Sequence, residues 1–195
     1  MFDVLKNFFS RIIGIKVLSI TVLGPLASGK STLNLKLGRL SAYTGETRIP
    51  GEELGRVVLK IKNKTIVIVK GLDIGGSEES SIIHLKKQIE SSQLIFFVFD
   101  SFIFFSHEQD KNRALGFLKK IISLSDVNKR FLIVGSHFDL FQKDISLNLN
   151  SKKEFEKKLE DQIFSMFQGR KHDIILCDLN SEKSISEIKN LLLKK

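Results

Sequence analysis

VLSITVLGPLASGKSTLNLKLG, residues 17–38, holds the reading on which the rest depends. Val17–Leu23 is a short apolar run rich in β-branched residues, the composition of a buried strand. Gly24-Pro25-Leu26-Ala27-Ser28-Gly29-Lys30-Ser31 then matches G-x-x-x-x-G-K-[ST] at every fixed position. Two glycines let the backbone turn so that its N–H groups point inward and form an anion nest. The helix expected from Lys30 onward, through Ser31 and Thr32, aims its N-terminal dipole at the same point. Lys30 reaches β- and γ-phosphates, and the Ser31 hydroxyl is a ligand for Mg²⁺. The bland alternative is a chance glycine-rich turn between a strand and a helix. The strand before and helix after supply the context that a phosphate loop needs, so a nucleoside triphosphate is the expected ligand.

Outward from this loop the pattern alternates. Lys30 to about Ala42 reads as a helix, and GRVVLKIKNKTIVIVKG as two strands joined at a tight Asn63-Lys64 turn. Helical segments are expected at Ile82–Ser91, Gln109–Ser123, Lys152–Phe167 and Ile185–Leu193. QLIFFVFD ending at Asp100, RFLIVGS and DIILCDL read as strands. Strands separated by helix-length segments predict an α/β domain of P-loop NTPase type. Its sheet is expected to have six mostly parallel strands with helices on both faces. Ligands of such folds bind at the carboxyl ends of the strands.

The 195 residues suit one globular domain, 16–195, preceded by an N-terminal helix over 1–15. A single cysteine, Cys177, excludes an internal disulfide framework and suits a reducing, cytoplasmic setting. No apolar run has the length to cross a bilayer. The net charge of +9 admits an acidic partner, but the basic residues are spread rather than blocked. No aromatic–basic recognition motif accompanies them, so no nucleic acid partner is expected.

Three further strings stand at strand ends in order. LDIGGSE carries Asp73 and Gly76 in a D-x-x-G pattern, FLIVGSHFDL carries Asp139, and ILCDLNSEKSI follows the last strand. With the phosphate loop, this order resembles the Ras-like small GTPases. The double glycine of DIGGS, the QLIFFVFDS strand and the apolar N-terminal helix resemble the ADP-ribosylation-factor branch, with its Arf-like and signal-recognition-particle-receptor β relatives.

The resemblance implies GTP or GDP with Mg²⁺ as the bound cofactor. Asp73 would hold Mg²⁺ through a water, and the Gly76 N–H would contact the γ-phosphate. Asp139 would accept from the guanine N1–H and exocyclic amine; its other reading is a cap on the following helical turn. Where the family has N-K-x-D, this chain has Ser136-His137-Phe138-Asp139. Ser136 would tie loops together with fewer donors than Asn. His137 would cover the base with a ring instead of a Lys stem. Asp178-Leu179-Asn180 stands at the family's S-A-K motif, where the Leu179 N–H would meet the guanine oxygen. The alternative there is a plain connecting loop.

Other positions depart further. The water-orienting Gln is Ser77, so Lys30, Gly76 and Ser77 form the candidate catalytic set and intrinsic hydrolysis should be slow. The switch Thr that closes on Mg²⁺ aligns with Glu52 or Glu53. Thr47 is the substitute expected as a metal ligand, with Thr44 also open. Gly71 before Leu72-Asp73 suggests a bulge.

Phe2, Leu5, Phe9, Ile12 and Ile13 recur at helical spacing, which leaves residues 2–13 either a weak peripheral membrane contact or a helix packed on protein. Phe2 stands where N-myristoylation needs Gly. An effector or regulator would meet residues 44–56 and 73–82. The sequence therefore reads as a small GTP-binding switch or recruiter. Its rivals are a constitutively loaded scaffold of the same fold and an ATP-handling P-loop enzyme.

Overall fold

The computed structural model describes residues 15–37, 56–61, 64–70, 82–143 and 152–193. The N-terminal helix, the switch loop with Thr44, Thr47, Glu52 and Glu53, and the segment with Gly71, Asp73, Gly76 and Ser77 lie outside them.

The strands are β1 (Ile15–Leu23), β2 (Arg56–Ile61), β3 (Lys64–Lys70), β4 (Leu94–Asp100), β5 (Arg130–Ser136) and β6 (His172–Leu176). They form one sheet in the order β2-β3-β1-β4-β5-β6. Only the β2–β3 pair is antiparallel. Ile61 pairs with Lys64, so residues 62–63 join the two strands and Lys64 belongs to β3 rather than to the turn.

Each apolar strand alternates its side chains between two helical layers, as the two-residue period requires. On one face Phe96 and Val98 of β4, Leu132 and Val134 of β5, and Ile175 of β6 pack with α1 (Lys30–Lys36) and α7 (Glu182–Leu191) through Leu33, Ile185 and Ile188. On the other, Ile95, Phe97 and Phe99 with Phe131 and Ile133 meet α2 (Ile82–Ser91), α4 (Glu108–Leu124) and α6 (Lys152–Phe167). Full burial of one such side chain is worth about 2 kcal/mol. β4 and β5 are thus buried on both faces along most of their length.

Two short helices lie on the carboxyl side of these two strands. α3 (Ser101–Ser106) starts directly from β4, where Asp100 caps it by accepting from the Ile103 N–H at 3.0 Å. α5 (Asp139–Lys143) follows β5 after a tight turn. Neither is legible in the apolar pattern. α7 begins at Glu182 behind a Ser181 cap, three residues before the expected start. α1 is described only to its cap at Leu37, short of the expected Ala42. No described helix is long and apolar enough to cross a membrane.

Candidate functional site

Parallel register sets which residues meet at the carboxyl edge. Leu23 lies beside Phe97, Asp100 beside Ser136, and Gly135 beside Leu176. The loops leaving β1, β4, β5 and β6 therefore start side by side.

The phosphate loop leaves β1 with Gly24 at φ 152° and enters α1 with Gly29 at φ 89°. A Cβ on Gly24 would lie 1.8 Å from the Val98 carbonyl oxygen, so no side chain fits there. A Cβ on Gly29 would lie 2.8 Å from Leu179 Cδ1 and 3.3 Å from Ser136 Cβ. Ala27 also has positive φ, 57°. Left-handed residues within a tight loop turn successive N–H groups toward one concavity, the geometry of an anion nest. Lys30 Nζ donates to the carbonyls of Gly24 at 3.0 Å and Pro25 at 2.5 Å, which arches the side chain back over the loop. Leu26 is exposed at the tip, while Ser28 is buried and its Oγ lacks a hydrogen-bond partner among the described residues. Ser31, partly buried, follows Lys30 on the first turn of α1.

The turn after β5 alternates inward and outward. Ser136 is fully buried, and its Oγ lies 2.9 Å from the Ser28 carbonyl and 3.1 Å from that of Phe99. It thus ties this turn to the phosphate loop, the tie read for that position. Ser101 Oγ donates to the Ser136 carbonyl at 2.5 Å. His137 adopts φ 55° and projects half-exposed. Phe138 turns inward against Phe141 and Phe155. Asp139, partly exposed, opens α5, which is compatible with both its readings.

The turn after β6 runs alongside. The Phe138 N–H donates to the Cys177 carbonyl at 3.3 Å, and the Cys177 N–H to the Gly135 carbonyl at 2.8 Å. Asp178 accepts from the Asn180 N–H at 2.8 Å, closing a local turn. Leu179 is buried under Gly29, so its side chain supports the phosphate loop. Burial pushes the neighbouring Cys177 thiol up to about 12, which leaves it an inert packing group.

One residue escaped the sequence reading. Asp100 Oδ2 lies 3.0 Å from His137 Nδ1, and Ser136 Oγ is 2.9 Å from the same nitrogen. The bond to Asp100 raises the His137 pKa against the opposing effect of burial, and the charges of Asp100, Asp139 and Asp178 add to it. Burial works to raise the Asp100 pKa, but the His137 bond and the Ile103 N–H outweigh it and hold the carboxyl below its ordinary value. The only cue in the sequence is an Asp at a strand end followed by Ser.

The described loops thus bring together Gly24–Thr32, Ser136–Asp139 and Asp178–Asn180. A single hydroxyl, Ser31, represents the Mg²⁺ ligand set there. It is a hard oxygen donor of the type Mg²⁺ takes. Among the described residues no three His, Cys, Asp or Glu side chains cluster as a metal site.

This assembly is a G domain in fold. The G domain of FeoB from Methanococcus jannaschii superimposes with a TM-score of 0.61, covering 91% of this chain and 96% of that one, at 17% identity. In sequence, the chain is 34% identical over 105 residues to an ADP-ribosylation factor-like protein of Dictyostelium discoideum. The match takes in 54% of this chain and 55% of the relative, so the chain spans about half the length of the curated protein it matches. The resemblance read from the motifs thus points to the same group as this relative. No protein-family model matches the chain.

Proposed function

We propose that this chain is a small GTP-binding protein that holds GTP or GDP, with Mg²⁺, across the carboxyl edge of the sheet. The observation that carries the proposal is the joining of the phosphate loop to the turn bearing Asp139 through Ser136 Oγ and the Ser28 carbonyl. A phosphate cradle and a base-reading carboxylate are thereby held at a fixed separation, which is what recognition of a whole nucleotide requires.

In this reading Lys30 exchanges its bonds to the Gly24 and Pro25 carbonyls for phosphate oxygens. The N–H groups of the phosphate loop surround the same phosphates, and the Ser31 hydroxyl takes a place on Mg²⁺. Asp139 accepts from the guanine N1–H and exocyclic amine, a donor pair that adenine lacks. The Leu179 N–H reaches the guanine oxygen, and the His137 ring lies along the base. Asp73, Gly76 and Thr47 complete the γ-phosphate side, and residues 44–56 and 73–82 form the surface that an effector or regulator reads. Residues 2–13 supply a weak, reversible contact with a membrane surface.

Ser77 favours a second reading. A short hydroxyl cannot orient water as a Gln does, so the same pocket serves a constitutively loaded scaffold. Competition of GTP and ATP against a fluorescent guanine nucleotide tests the base assignment, and equal displacement by both would remove it. Single-turnover hydrolysis separates the switch from the scaffold.

A further inference from the structure

Four groups at the carboxyl edge form one connected chain. Asp100 ends β4 and caps α3 with Oδ1, while Oδ2 faces His137 Nδ1 at 3.0 Å. The same nitrogen lies 2.9 Å from Ser136 Oγ, which in turn lies 2.9 Å from the Ser28 carbonyl of the phosphate loop. The in-register pairing of Asp100 with Ser136 sets the strand-end carboxylate beside the last residue of β5, next to His137. His137 needs such a restraint. Its φ of 55° lies in the left-handed region that side-chain-bearing residues rarely adopt.

We infer that Asp100 is a positioning residue of the nucleotide site: through its bond to His137 it holds the base-side turn in place and makes nucleotide affinity depend on the protonation of His137. This rests on the nucleotide reading above. The charges that act on His137 are acidic: Asp100 at the β4–α3 junction, Asp139 at the start of α5 and Asp178 after β6. A protonated imidazole leaves that cluster one unit less negative and makes the Asp100 bond charge-assisted. Loss of the proton weakens the bond and adds repulsion against an anionic ligand. Nucleotide is therefore held more tightly on the acid side of the His137 transition. That transition lies above the ordinary histidine value, because Asp100 favours the charged ring.

The test uses the full chain with N-methylanthraniloyl-GDP and Mg²⁺ between about pH 6 and pH 8.5, the range over which histidine titrates. Wild type should weaken about fivefold across this range, the effect of losing one nearby charge. Asp100→Asn keeps an acceptor for the α3 cap but removes the charge, and should move the midpoint of the profile downward. His137→Lys carries a fixed charge and should flatten the profile, while sharing the ionisation of the nucleotide itself. The imidazole titration of His137, followed by NMR without nucleotide, should show the same downward shift in Asp100→Asn, which assigns the affinity midpoint to this ring; a merely structural role would leave the affinity profile unmoved. A wild-type profile that binds nucleotide but is parallel to that of His137→Lys overturns the inference, as does an unmoved midpoint in Asp100→Asn. Wild type that binds no guanine nucleotide at any pH instead fails the nucleotide reading, and the inference with it.

Discussion

Gly29 and Leu179 are 150 positions apart in the chain, yet a single added carbon on the glycine would sit 2.8 Å from Leu179 Cδ1. The end of the phosphate loop, where it enters α1, thus rests on the turn after the final strand. Gly29→Ala should suffer twice, from the left-handed φ of 89° and from that contact. The backbone part alone costs about 1 kcal/mol. Nucleotide affinity measured by fluorescence titration should fall, and a second change, Leu179→Ala, should recover only the contact part.

Lys30→Ala removes a cation that donates to two carbonyls of its own loop. Those carbonyls lie at a partly exposed site, so chemical denaturation should register a change below about 1 kcal/mol. Triphosphate affinity should drop about a hundredfold, the value of charge-assisted bonds to phosphate. A large loss of stability with unchanged affinity would contradict the role given to Lys30.

Ser136→Ala deletes a fully buried hydroxyl that bridges the Ser28 and Phe99 carbonyls. Leaving buried carbonyls unsatisfied costs about 1–3 kcal/mol. Urea unfolding should report that loss, and affinity should fall with it because the two halves of the site lose their tie.

Asp139→Asn replaces an acceptor by a donor at the proposed base-reading position. Guanine nucleotide should lose about a hundredfold in affinity and xanthine nucleotide should gain, since its edge offers the complementary group. Isothermal titration with GDP and xanthosine diphosphate checks both directions.

The Asp100–His137 pair also carries a stability signature. His137, with its pKa raised above 6.5, stabilises fully below that value and loses the contribution as pH climbs through its folded-state pKa. Asp100, lowered from 3.8, stabilises above that value and loses the contribution as pH falls through its folded-state pKa. The difference in Tm between wild type and Asp100→Asn should therefore be greatest near about pH 5 and shrink above about pH 8. Calorimetry over that range is the check. Partial exposure of His137 keeps the difference small.

The phosphate loop was legible because its chemistry fixes residue types at fixed spacing. The layered sheet was legible because apolar strands alternate with helix-length segments. α3 was hidden for a physical reason: QLIFFVFDSFIFF is continuously apolar, so no turn residue marks where β4 stops and the helix starts. α7 was read three residues late because its first turn, Glu182-Lys183-Ser184, is polar and contributes nothing to an apolar period. The tie at Ser136 came from the resemblance, since Ser136 stands where the family has the Asn of N-K-x-D. The contact between Asp100 and His137 did not, since it arises from strand register across 37 positions.

Phe138 gives the base side of the site a property of its own. Its ring is wedged among Phe141 and Phe155, and its N–H is bonded to Cys177. The two residues flanking it, His137 and Asp139, are thus presented like handles on a nailed board. A ligand arriving here meets side chains whose backbone freedom was surrendered at folding, so little of its binding energy goes into ordering this turn. Amide hydrogens at 138 and 177 should accordingly exchange on the slow timescale of the sheet, with or without ligand.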